Sequence, residues 1–112
     1  MTLVYTARTD ATEYTRTEHG VSYHTFRDAD GASMTHASIA ECGAFNAPYH
    51  CDEDEFILGL AGELTVQFPD RDPMRVAEGD IVVLTAGTDC TLIVDSTFRW
   101  VYLKTVGKDA TK

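Results

Sequence analysis

Apolar positions along this chain recur with a period of two, in short runs broken by turn residues, and no stretch of useful length shows the 3.6-residue period of an amphipathic helix. In residues 63–68, Leu64, Val66 and Phe68 fall on one side and Glu63, Thr65 and Gln67 on the other. Residues 55–60 (EFILGL) are apolar on both faces after one carboxylate, and residues 81–84 (IVVL) repeat that character. The expected strands span residues 21–26, 33–42, 55–60, 63–68, 74–77, 81–84, 90–94 and 98–106, with an edge strand at 3–5 and a polar loop from there to residue 20. Asp, Gly and Pro place turns at 28–31, 61–62, 69–73, 78–80 and 86–87. Residues 43–54 read as a longer connection, because Pro48 removes a backbone donor. Residues 107–112 read as a frayed tail.

Strands without intervening helices pair antiparallel, since a parallel crossover needs about a dozen residues or more. The expectation is one all-β domain over residues 1–112, built as a jelly-roll barrel of two facing sheets. The runs at 55–60 and 81–84 need cover on their outer faces as well. A homodimer supplies it; the chain's own N-terminal strands folded over the sheet are the alternative.

The formal net charge is −9 and the basic residues are scattered, which argues against a nucleic acid or an anionic membrane as partner. No apolar run approaches the roughly 20 residues that span a bilayer, and the first residues lack a basic start and an apolar signal core. A soluble cytoplasmic protein is expected. Three cysteines, Cys42, Cys51 and Cys90, cannot all pair within one chain, and a reducing compartment keeps them as thiols, either for packing or for function. Phosphate-binding glycine loops, paired CxxC clusters and a serine nucleophile elbow are absent.

Two stretches echo each other. Gly43, Tyr49, Cys51, Glu55 and Gly62 form one series, and Gly79, Thr85, Gly87, Cys90 and Val94 form the other. These frames resemble the two motifs of the cupin superfamily, with the glycines and the glutamate in place and the histidine positions replaced. The wording EDEFILGLAGELTV followed by EGDIVVLTAG is similar to the small single-domain cupins of the ethanolamine-utilisation type, over about residues 33–104. The resemblance implies a double-stranded β-helix with a pocket inside the barrel. It also implies a small-molecule ligand, often a bound metal, and isomerase, cyclase, lyase or dioxygenase chemistry.

Glu55 is the first candidate, because a carboxylate opening an apolar strand needs a metal, a cation or hydrogen-bond donors if it faces inward. Strict alternation would bring Tyr49, Cys51 and Glu55 to one face, with Cys90 joining from the second motif. A β-bulge before Glu55 would instead make His50, Glu55 and Cys90 the set. Donors of this mix suit zinc ahead of iron, copper or manganese. Cys51 and Cys90 serve equally as buried packing residues, and His50 as a loop residue. His36 on the N-terminal hairpin and Tyr49 are candidate pocket walls, as are Arg99 and Trp100, which face opposite ways on the last strand. Two functions stay open: an enzyme whose divalent metal polarises a carbonyl or enolate oxygen while Glu55 binds the metal or moves a proton, and a metal-free ligand-binding or accessory module.

Overall fold

Among the described residues every element is a strand, as the period of two requires. A computed structural model describes residues 7–9, 14, 16–18, 20–27 and 35–105. The strands are β1 (Arg16–Glu18), β2 (Val21–Arg27), β3 (Thr35–Cys42), β4 (Phe45–His50), β5 (Glu55–Gln67), β6 (Met74–Ala77), β7 (Ile81–Leu84), β8 (Asp89–Val94) and β9 (Phe98–Thr105). All pairings are antiparallel. The expected edge strand at 3–5, turn at 28–31 and tail at 107–112 lie outside the described residues, as do positions 33, 34 and 106 of two expected strands.

The expected turn at 61–62 is corrected. β5 runs through it as one strand of 13 residues. Its first half pairs with β9 and β7, and its second half with β6 and β8, so the strand belongs to both sheets. Its register against β9 shifts between Gly59 and Ala61, and Gly62 takes φ +77°, so the chain bends without reversing. A Cβ at Gly59 would run into the Ala77 carbonyl, and one at Gly62 into that of Thr97. Close backbone approach therefore makes the corner.

The connection expected at 43–54 is also corrected, because its first part is β4, paired residue for residue with β8. Pro48 is tolerated there because, among the described residues, β4 is an edge bonded to β8 alone. β1 likewise occupies part of the expected N-terminal loop.

One sheet runs β1-β2-β3-β9-β5-β7 and the other β4-β8-β5-β6. Their inner faces enclose the core: Val21, Ala40, Cys42, Ile57, Val82, Leu84 and Phe98 meet Leu64, Val66, Val76, Cys90 and Val94. On the outside, Arg99 donates to the Tyr14 hydroxyl at 2.7 Å, the Thr9 carbonyl at 2.8 Å and Glu41 at 3.1 Å, tying the N-terminal segment to β3 and β9. Among the described residues, no helix is long and apolar enough to cross a membrane.

Candidate functional site

Between the sheets lies a cavity of about 680 Å³, within the usual range for a small-molecule site. The face of the larger sheet that lines it follows from alternation along β9. Phe98, Trp100, Tyr102 and Lys104 point inward, and Arg99 points out to Tyr14 and Glu41. The expectation that Arg99 lines the pocket is therefore corrected, and Trp100 holds the inner position, stacked on Phe98 with ring centroids 5.0 Å apart.

Glu55 opens β5 and faces the cavity at 2% exposure. Tyr49 donates its hydroxyl to Glu55 Oε1. The two do not meet by alternation along one strand. β4 ends at His50, residues 51–54 cross to the other sheet, and Tyr49 and Glu55 then reach each other across the barrel. This crossing is pinned to the β7–β8 turn: Cys51 N–H donates to the Thr88 carbonyl at 2.9 Å and Gly87 N–H to the Cys51 carbonyl at 2.7 Å. The Asp54 carboxylate accepts the Ala86 N–H at 2.8 Å. Part of the acidic run at 52–55 is thus a loop clamp.

The electrostatics follow from burial. Desolvation pushes the Glu55 carboxyl above the ordinary carboxylate range, while the Tyr49 hydrogen bond and the Lys104 charge pull it partly back. Burial, with the neighbouring Glu55, likewise raises Tyr49 and Tyr102, so both phenols stay protonated. Cys51 is pushed up to about 12 by burial and by the charge on Glu55, and Cys90 is raised for the same reasons. All three cysteines are buried free thiols.

His50 lies elsewhere. It sits on the exposed side of β4, where Nδ1 meets Asp89 Oδ1 at 2.6 Å and Nε2 lies 3.6 Å from Asp52. The bulged arrangement of His50, Glu55 and Cys90 is therefore corrected: residues 51–54 form a crossing loop, which leaves His50 on the outer side. Cys51, Cys90 and Glu55 are neighbours, but the thiols belong to the core and are held neutral. Among the described residues, no three His, Cys, Asp or Glu side chains gather so as to hold a metal ion. Two thiols packed into the core and a carboxyl bonded to Tyr49 are not gathered into a donor set for a divalent metal.

His36 lines the cavity, edge-on to Tyr102 at 5.7 Å, with Nε2 2.8 Å from Ser38 Oγ. Sequence reasoning missed Tyr23, Tyr102 and Lys104, which also line it. Stepping by two from Trp100 along β9 would have found the last two.

A jelly-roll barrel with an interior pocket walled by these two motifs defines a cupin. The chain belongs to the EutQ-like cupin domain family, whose model matches residues 29–102. No curated protein matches it in sequence. Among solved structures it is similar to an ethanolamine utilization protein Q from Salmonella typhimurium LT2, with 19% identity, TM-score 0.71, and coverage of 82% of this chain and 77% of that one. It is also similar to a mannose-6-phosphate isomerase-like protein from Ralstonia eutropha JMP134, with 11% identity, TM-score 0.71, and coverage of 91% and 98%. KdgF from Halomonas sp. has 13% identity and TM-score 0.68, with coverage of 90% and 94%. At these identities the likeness is one of fold.

The environment of Glu55 sets a test. Its carboxyl, followed by carbon-13 NMR, should titrate above the ordinary value of about 4.3, and Tyr49→Phe, which removes a hydrogen bond that lowers it, should move it higher. Because the folded value is raised, the stabilising contribution is full below about pH 4.3 and is lost as pH rises through the folded value. Glu55→Gln should abolish that loss. A carboxyl titrating at or below the ordinary value contradicts the account.

Proposed function

We propose that this cupin binds a small molecule in its barrel pocket and moves a proton on it, with Glu55 as the acid–base group. The observation that carries the reading is the buried Glu55 carboxyl facing a cavity of about 680 Å³ with Tyr49 bonded to it. A carboxyl raised toward neutrality exchanges protons more effectively near pH 7 than an ordinary one. Tyr49 orients Glu55. The metal-dependent form of this chemistry, implied by the cupin resemblance, needs a gathered donor set, and among the described residues Glu55, Cys51 and Cys90 do not form one. Proton transfer is therefore assigned to the carboxyl itself. Isomerisation and lyase chemistry both begin with such a step. The buried thiols fit a reducing, cytoplasmic setting.

The experiment is solvent deuterium exchange into a panel of small keto acids and keto sugars, read by NMR. Wild-type protein should label at least one compound at the carbon beside its carbonyl, and Glu55→Gln should slow this by about 10²- to 10⁴-fold. Equal rates in the variant would refute the role of Glu55. Binding of a panel compound without exchange would favour the ligand-binding module.

The chain is also proposed to form a homodimer. Phe56, Leu58, Ile81, Val83, Val101 and Leu103 adjoin in register on the outer face of β7, β5 and β9. Ile81 and Val83 are 58% and 54% exposed. A second copy of the same patch would cover them, while the N-terminal segment is tied farther along this face at Arg99 and Glu41. Sedimentation should give a dimer for wild type and a monomer for Val83→Asp; a monomeric wild type would rule the dimer out.

A further inference from the structure

The cavity gathers polar side chains around Lys104 and apolar walls beyond it, with Arg16 and Glu18 at its β1 edge, and this arrangement defines a class of ligand; the inference rests on the cavity being the substrate site. Lys104 is the cross-strand partner of His36 on one side and of Glu55 on the other. Such partners have Cβ atoms about 4.5–5.5 Å apart, so the three side chains form a row, and all three line the cavity. Tyr49 and Tyr102 stand beside that row. Away from it the walls are Phe45, Leu64, Leu92, Val94 and the stacked Phe98 and Trp100. A molecule filling this space has a polar head and an apolar body.

Lys104 sets the charge of the head. Among the described residues it enters no ion pair, although the chain carries 18 acidic residues against 9 Lys and Arg. Its neighbour Glu55 is pushed toward the neutral form by burial, and so compensates the ammonium only in part. The other charged side chains lining the cavity, Arg16 and Glu18 on β1, lie 3.9 Å apart and offset each other. A partly buried ammonium beside an apolar chamber favours an anionic oxygen ligand over a neutral one. We infer that the cavity takes a small amphiphilic carboxylate, its anionic head on Lys104 and its apolar body against Phe45, Leu92 and Trp100. The Glu55–Tyr49 pair then faces the atoms next to the carboxylate, where it would move a proton.

The test titrates the full chain with hexanoate and with hexanamide by calorimetry. Emission from Trp100, the only tryptophan, reports occupancy of the apolar end. Hexanoate should bind about 10-fold or more tightly than hexanamide, as expected for a hydrogen bond to a charged group. Lys104→Met should erase that preference, bringing the ratio of hexanoate to hexanamide affinity to about one, and Lys104→Arg should keep it. Equal affinities in wild type, a preference that survives Lys104→Met, or binding of neither probe would each overturn the inference. The outcomes also separate this inference from the proton-transfer reading. Glu55-dependent exchange without a carboxylate preference removes the ligand class alone. A carboxylate preference without Glu55-dependent exchange removes the catalytic role alone.

Discussion

A carboxyl group that the fold takes out of water must be given donors in return, and the contact between Tyr49 and Glu55 is where this protein does so. The contact spans the barrel, from the next-to-last residue of β4 in one sheet to the first residue of β5 in the other. Everything that holds β4 against the start of β5 therefore holds the site. The backbone bonds of Cys51 to Thr88 and Gly87, and of Asp54 to Ala86, fix the crossing loop. Cys51 and Cys90 pack behind it as buried thiols. In the positions where the cupin frame carries histidines, this chain has a tyrosine and two buried thiols, and the glutamate of the frame is bonded to that tyrosine.

The corner in β5 gives the site its chamber. Because one strand serves both sheets, Glu55 at its start and Leu64 beyond the bend line the same cavity from different walls. The bend depends on close backbone approach at Gly59 and on the left-handed conformation of Gly62. β9 pairs with β5 across the bend and lays Phe98, Trp100, Tyr102 and Lys104 along the cavity from apolar to polar. The change from apolar to polar along this wall is thus the sequence of one strand read at every second residue.

Much of this was legible in the sequence. Strand alternation and turn residues gave the all-β class, and the motif spacing gave the cupin frame and Glu55. Local signals failed where a long-range pairing decided the outcome. Ala61-Gly62 has the chemistry of a turn, yet β9 and β6 pair on either side of it and keep the strand running. Pro48 suggested a loop, yet an edge position lets it lie in β4. His50 was a natural ligand candidate by residue type. Its side of β4 depends on where the strand ends and the loop begins, which a single sequence does not encode locally. Tyr102 and Lys104 were within reach of the alternation that separated Arg99 from Trp100.

The central claim is that Glu55 works in this pocket as a tyrosine-bonded carboxyl rather than as a metal ligand. Its most direct test is the metal content of untagged, chelator-free protein, with zinc titration of wild type and Glu55→Gln followed by thermal unfolding. The account predicts no stoichiometric divalent metal and no zinc-dependent rise in Tm in either protein. A stoichiometric metal in wild type that is lost in Glu55→Gln would contradict it.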